Sequence, residues 1–201
     1  PPQSPQADLT LRFFTRHTEA TLSAHVALAA MISLADRGFY RPRPEGVTIR
    51  LQTAAGILPV ELISSPEGGT VFSISLPGPR YGEYIPAEEV SDALGIRPEL
   101  LQLLDQGPQR VSCGFDQIVV PVADRLAMRG CSADSGALRE LADRRGVGGL
   151  TLVCPETFAH EADFHCRFFC ADERGVEEIA SGTSLGAAAA YLAAHGIAPG
   201  T

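Results

Sequence analysis

Polar side chains that can move a proton stand at two places in the sequence, each time beside an alanine-rich apolar run. Ser23 and His25 open one such run, and Glu178, Ser181 and Thr183 precede the other. A histidine or a carboxylate can act as general acid or base on a carbon next to a carboxyl group. The first turn of a helix offers unpaired N–H groups and the positive end of the helix dipole, which attract anions. The pattern predicts a site that holds a small carboxylate and transfers a proton.

The same residues also have a purely structural interpretation. Serine or threonine before a helix is usually a cap. In that interpretation His25 is a hydrogen-bonded core histidine, and Glu177 and Glu178 are an exposed charged pair near a helix N-terminus. Only the repetition of the whole pattern favours the functional interpretation.

The repetition extends over strand, polar segment, turn and helix. Both predicted strands carry Arg-Phe-Phe, each polar segment contains glutamate, and each small-residue turn opens an alanine-rich helix. The two copies read Arg12-Phe13-Phe14, Glu19, Ser23-Ala24-His25 and Arg167-Phe168-Phe169, Glu177-Glu178, Ser181-Gly182-Thr183. A supersecondary unit that occurs twice predicts two related halves, here 1–103 and 104–201.

Hydrophobic periodicity predicts an α+β fold with antiparallel sheets, because strands and helices do not alternate regularly. The helix at 24–37 is apolar on almost every face, which predicts an enclosed helix. The predicted helices are 24–37, 86–94, 98–104, 134–145 and 184–195. The predicted strands are 9–15, 47–52, 57–63, 71–76, 111–113, 117–122, 150–154 and 164–170.

Composition excludes several classes of function. The chain has 201 residues, enough for one large or two small domains, and a net charge of -8. All 16 basic residues are arginine, so Schiff-base, pyridoxal-phosphate and P-loop lysine chemistry are excluded. Scattered arginines on an acidic chain argue against nucleic acid. The longest uncharged stretch, 179–194, is too short to span a bilayer, and we expect no signal peptide.

Cysteine usage indicates a reducing compartment. The five cysteines have wide spacings and no Cys-x-x-Cys pair, so we expect no disulfide framework. A cytoplasmic location is the expectation that follows. Cys166 and Cys170 could bind metal with His160 and His165, but zinc sites favour paired knuckles. We expect small buried apolar side chains and no metal.

With these motifs in view, the chain resembles the phenazine-biosynthesis PhzF-like proteins, relatives of diaminopimelate epimerase and proline racemase. Both Arg-Phe-Phe copies, with the turns that follow them, are similar to the paired motifs of that family. The segment Gln52 to Val60 looks like the family's hairpin. The resemblance covers the whole chain.

The resemblance implies two pseudo-symmetric α+β halves, each a mostly antiparallel sheet around a central helix, with the active site between them. It implies a cofactor-independent isomerase or epimerase acting on a small carboxylate. We also expect a homodimer, because open sheet edges invite pairing with a second copy. His25 stands at the family's Gly-His histidine, Glu178 at its aspartate and Thr183 at the serine of Thr-Gly-Ser. Ser23 and Ser181 stand at the two cysteines of the epimerase branch. The proton-transfer pair is then Glu178 with His25, and the expected substrate contacts are Ala24, Gly182, Thr183 and Glu19.

The chain also departs from the family pattern. The family's Asn-Leu-Ser-Glu motif, whose glutamate is the usual acid or base, is not in this sequence, which we expect to start after that motif and to end before the family's closing strands. Serine is a poor proton carrier without a partner base. A shortened, non-catalytic binding or partner protein is therefore the alternative. A serine or cysteine hydrolase is disfavoured, because the chain has no Gly-x-Ser-x-Gly.

Overall fold

The computed structural model describes residues 2–14, 19–157, 161–171, 177–178 and 181–197. By its contacts the chain divides into two compact units, Pro1–Gly78 and Pro79–Thr201. The division into repeated halves after residue 103 remains a prediction. Residues 79–103 pack in the second unit, because Val90, Leu94 and Leu101 share an apolar core with Ile118 and Leu150.

The first unit is built on a four-stranded sheet with one helix against it. In chain order its elements are β1 (Leu9–Thr10), β2 (Phe13–Phe14), β3 (Glu19–Ala20), α1 (Ala24–Asp36), β4 (Val47–Thr53), β5 (Gly56–Ser64) and β6 (Thr70–Ile74). The sheet order is β1-β4-β5-β6, and β2 pairs with β3 in a separate ribbon. The predicted antiparallel meander β4-β5-β6 is confirmed.

Two expectations for this unit need correction. The predicted strand 9–15 is two strands in different sheets, because β1 pairs parallel with β4 whereas β2 pairs with β3. Helix α1 is not enclosed on all sides. Ala27 and Met31 are buried, but Val26 and Ile32 are 45% and 42% exposed, so one apolar face of the helix stays open to solvent.

The second unit is built on a six-stranded sheet. Its elements are β7 (Arg80–Tyr84), α2 (Ala87–Leu94), a 3-10 turn (Pro98–Leu100), β8 (Gln109–Ser112), β9 (Asp116–Pro121), α3 (Arg125–Gly130), α4 (Ser135–Arg145), β10 (Gly149–Cys154), β11 (His165–Cys170), β12 (Glu177–Glu178) and α5 (Gly182–Ala194). The sheet order is β12-β11-β10-β9-β8-β7. Only the β9–β10 pair is parallel among the described strands of this sheet. The fold is α+β, as the sequence predicts.

Helices cover both faces of the six-stranded sheet. The core on one face joins α2, α3 and α4 to Ile118, Leu150 and Phe169. Helix α5 packs on β8 to β11, and the Gln117 amide on β9 reaches it from the sheet. Because side chains alternate along a strand, the buried central strands β9 and β10 supply residues to both layers.

Some elements of the second unit differ from the sequence-based assignment. Strand β7 was not predicted, since all five of its residues are exposed and none marks a buried face. Helix α3 was not predicted either, because six residues are too few to show a period. The predicted helix 98–104 is a single 3-10 turn, and α5 begins at Gly182, earlier than expected.

Candidate active site

The repeat seen in the sequence is present in atomic detail. In the first unit Arg12 donates to Glu19 from Nε at 2.9 Å and from Nη2 at 2.8 Å. In the second, Arg167 donates to Glu177 from the same two atoms at 2.7 and 2.8 Å. A two-bond arginine–carboxylate pair fixes both distance and orientation. Each ion pair therefore closes its short strand pair in the same geometry.

Aromatic packing and strand register repeat as well. The guanidinium carbon lies 4.8 Å from the ring centre of Phe14 in one copy and 4.9 Å from that of Phe169 in the other. Phe14 pairs with Glu19, and Phe169 pairs with Glu177. These matches make Glu177 the equivalent of Glu19. Glu178 is then the equivalent of Ala20.

Strand register separates the two neighbouring glutamates. Residues opposite each other on paired strands point to the same face of the sheet. Glu177 is opposite Phe169 and so lies on the face that carries Arg167 and the core with α3. Glu178 is opposite Phe168 and lies on the other face, where α5 packs. Glu178 is partly buried, and Arg167 does not bind it.

The two helices that follow begin alike. The N-cap residues Ser23 and Ser181 have φ/ψ of -138/101° and -141/106°. Neither hydroxyl accepts a hydrogen bond from a backbone amide of its helix. The capping aspartates Asp124 and Asp134 behave differently, accepting from Ala127 and Ala137 at 2.7 and 2.8 Å. The serines at the repeated starts therefore leave the first-turn amides open, against the capping interpretation.

The open amides can be identified from the first helical hydrogen bonds. In α1 that bond runs from the Ala27 amide to the Ser23 carbonyl, and in α5 from the Leu185 amide to the Ser181 carbonyl. The amides before these bonds have no intrahelical partner. They belong to Ala24, His25 and Val26 in α1, and to Gly182, Thr183 and Ser184 in α5. Each set is a potential anion-binding group.

The side chains at the two starts differ. His25 is exposed at the start of α1, whereas Thr183 and Ser184 are buried at the start of α5. The Ser181 hydroxyl lies 2.8 Å from that of Ser184 and 3.3 Å from that of Thr183. The second start is therefore a connected group of hydroxyls, and the first offers an imidazole to solvent.

Metal ligation gains no support from the described residues. They contain no group of three metal-ligating side chains, and His160 lies outside them. All five cysteines lie in the described part of the chain, and none of them forms a disulfide. Burial raises the pKa of the Cys166 thiol to about 12 and that of Cys131 to about 11. Such thiols remain protonated at neutral pH and are poor nucleophiles.

Sequence reasoning missed one polar pair near the start of α5. Gln117 and Thr151 are both completely buried in the second unit. In the sequence Gln117 begins an apolar strand and looks like an exposed strand end. Only the contact with Thr183 shows its place beneath the helix.

Comparison with known proteins decides the family. A family model described as "Phenazine biosynthesis-like protein" (PhzC-PhzF) matches residues 1–201. The chain belongs to the PhzC-PhzF family. The resemblance inferred from the two Arg-Phe-Phe motifs is thereby confirmed.

Relatives of this PhzC-PhzF chain include isomerases and solved epimerase-like folds. It is 29% identical to the "Uncharacterized isomerase YfhB" of Bacillus subtilis, over 96% of this chain and 65% of the relative. A Bacillus anthracis phenazine biosynthesis protein of the PhzF family superposes with a TM-score of 0.77 at 23% identity, over 95% of this chain and 63% of that one. A probable proline racemase from Agrobacterium radiobacter superposes with a TM-score of 0.70 at 14% identity, over 99% and 60% of the two chains.

Two further facts describe the chain, its length relative to these proteins and the character of its helices. The chain spans less than two thirds of the length of these relatives. Among its described helices, none is long and apolar enough to cross a bilayer.

Proposed function

We propose that this chain carries the proton-transfer site of an isomerase or epimerase that needs no cofactor and acts on a small carboxylate. The observation that carries the proposal is the pair of uncapped helix starts. Each one follows the same two-bond ion pair in the chain, Arg12–Glu19 or Arg167–Glu177, which we call the arginine–glutamate clip. Relatives named as isomerases and a racemase fold support the same kind of reaction.

In this proposal the amides of Gly182 and Thr183 hold the substrate carboxylate or the charge that develops beside it. Backbone donors fixed in advance stabilise an enolate-like transition state without reorganisation. The proline racemase that shares the fold is described with bound carbonate, a small planar anion. Ala24 is assigned the equivalent binding role at the start of α1.

Glu178 and His25 are proposed as the two proton-transfer groups. Register directs Glu178 to the sheet face that carries α5, unlike its neighbour Glu177. His25 presents its imidazole at the uncapped start of α1. Ser23 and Ser181 are assigned to polar contacts around the substrate. Substrate binding by Glu19 is kept as a prediction, although its carboxylate is bound by Arg12.

Exchange of the α-proton with solvent tests the proposal directly. The full chain is incubated in D2O with single α-amino acids and imino acids, including L-proline and trans-4-hydroxy-L-proline. Loss of the α-proton signal is followed by 1H NMR. Removing a general acid or base typically costs 10²–10⁴-fold. We therefore expect Glu178→Gln and His25→Gln each to slow exchange by at least about a hundredfold.

Glu177→Gln is the matched control. It makes the same change one residue away, on the opposite sheet face and in the clip with Arg167. Exchange should persist in Glu177→Gln. Equal loss in both variants would point to damaged structure instead of lost chemistry. Binding of a carboxylate without exchange in the wild-type chain would support the non-catalytic binding protein.

The proposal extends to context. The family resemblance favours a substrate from secondary metabolism, and cysteine usage favours a cytoplasmic location. Open sheet edges favour a homodimer. Sedimentation of the full chain tests the dimer.

A further inference from the structure

Gln117 on β9 and Thr151 on β10 form a buried polar pair whose outer contact is the first turn of α5. The Thr151 hydroxyl donates to Gln117 Oε1. Gln117 Nε2 donates to the Thr183 carbonyl at 3.3 Å. A buried amide is unfavourable unless its polar atoms have partners. The pair is therefore satisfied only while the α5 start keeps its present position.

The contact acts on a specific amide. The Thr183 carbonyl and the Ser184 N–H belong to one planar peptide unit. Fixing the carbonyl at one end of that plane also fixes the direction of the N–H at the other. A hydrogen bond to the carbonyl polarises the peptide as well, which strengthens the N–H as a donor. Ser184 is one of the three open amides at the start of α5.

No matching contact is found among the described residues of the first unit. The equivalent carbonyl in α1 is that of His25, and no described side chain donates to it. The polar support beneath the α5 start therefore has no counterpart in the described part of the first unit.

We propose that Gln117 is a positioning residue that acts through the Thr183 carbonyl to aim and strengthen the Ser184 N–H toward the carboxylate of the substrate. This inference rests on the proposed anion-holding function of the α5 start. It concerns the preparation of that site and not the proton-transfer step.

An amide titration tests the inference on the full chain. Uniformly 15N-labelled protein is titrated with sodium acetate as the carboxylate probe, and the amide shifts of Gly182, Thr183 and Ser184 are followed. We expect a saturable shift in the wild-type chain. In Gln117→Met, which keeps the volume but removes the donor, apparent affinity should fall by about tenfold. Thr151→Val is the matched control, because it breaks the same pair but leaves Gln117 Nε2 on the carbonyl.

The possible outcomes separate the two proposals. No acetate response at any of the Gly182, Thr183 and Ser184 amides of the wild-type chain contradicts the anion-holding function itself. A response at Gly182 and Thr183 without one at Ser184 contradicts the positioning role only. An equal response in the wild-type chain and Gln117→Met contradicts the positioning role only. Equal loss in Gln117→Met and Thr151→Val also contradicts it, since general loosening would then suffice.

Gln117→Glu decides the matter if Gln117→Met does not fold. The introduced carboxyl can donate to the Thr183 carbonyl when it is protonated, and burial favours that form. We expect a nearly wild-type acetate response at pH values where the introduced carboxyl group is protonated. The response should be lost as the pH rises and that group ionises. The wild-type chain is titrated with acetate at the same pH values as a control. If the acetate response of Gln117→Glu is as constant over this range as that of the wild-type chain, the inference is contradicted.

Discussion

Arg167 binds Glu177 through two hydrogen bonds and reaches the end of α3 with its third nitrogen. Nη1 donates to the carbonyl oxygens of Met128 at 2.6 Å and Cys131 at 2.9 Å. The side chain is only 19% exposed. One guanidinium therefore joins the edge strand β12 to the helical layer of the second unit. The equivalent Arg12 side chain is 63% exposed. It makes the ion pair with Glu19 but none of the corresponding hydrogen bonds to helix carbonyls among the described residues.

This difference predicts unequal costs for two equivalent substitutions. Arg167→Ala should lower the free energy of unfolding by about 2 kcal/mol, because it removes charge-assisted hydrogen bonds and leaves buried carbonyls unpaired. Arg12→Ala should cost less, since exposed ion pairs contribute little. Urea unfolding of the two variants measures both values. Similar losses would show that the two arginines contribute equally to the free energy of unfolding, which contradicts the prediction.

Stability should depend on pH through Glu177. Hydrogen bonding to Arg167 holds the pKa of Glu177 below its ordinary 4.5. A carboxyl whose pKa is depressed in the folded state adds stability that is complete above its unfolded pKa and is lost as the pH falls through its folded pKa. Unfolding free energy should therefore fall with acidification below that ordinary value. Glu177→Gln should show a shallower decline in the same urea series, and an unchanged slope would contradict the assignment.

The N-cap residues predict a second contrast. Asp134→Ala should cost about 1 kcal/mol, the usual value of a lost cap. Ser23→Ala should leave the unfolding free energy nearly unchanged, because the Ser23 hydroxyl caps no amide of α1. Thermal unfolding compares the two variants. A loss in Ser23→Ala as large as that in Asp134→Ala would restore the capping interpretation.

Two adjacent glycines predict a third contrast. A Cβ at Gly149 would overlap the Phe169 carbonyl oxygen and lie 2.8 Å from Phe168 Cε2. Backbone must then shift, so Gly149→Ala should destabilise by about 3 kcal/mol or more. A Cβ at Gly148 would meet the ring of Phe115, a side chain that can turn away. Gly148→Ala should therefore cost less in the same thermal assay.

The fold was predictable where the chain has a clear period or a repeated motif. The strands of the first meander and the α4 helix have regular apolar spacing, and the structure confirms them. The exposed strand β7 could not be found, because pairing with β8 and not burial defines it. Likewise, the division of 9–15 between two sheets depends on partners far away in the chain.

The two helix starts of the candidate site were predictable from the sequence, but the contacts around them were not. The repeated motif marked both helix starts in advance. It could not distinguish Glu177 from Glu178, because only strand register shows which one faces α5. Nor could it find Gln117, whose partner carbonyl on Thr183 lies in a distant segment.

The arginine–glutamate clip has a consequence for how this scaffold can change. Four residues separate Phe14 from Glu19, but seven separate Phe169 from Glu177, and the ion pair and register are the same in both. The strand pair that carries the ion pair therefore accepts connections of different length without a change in its register. Evolution or design can lengthen either connection and vary the chemistry presented there while the helix that follows keeps its starting point.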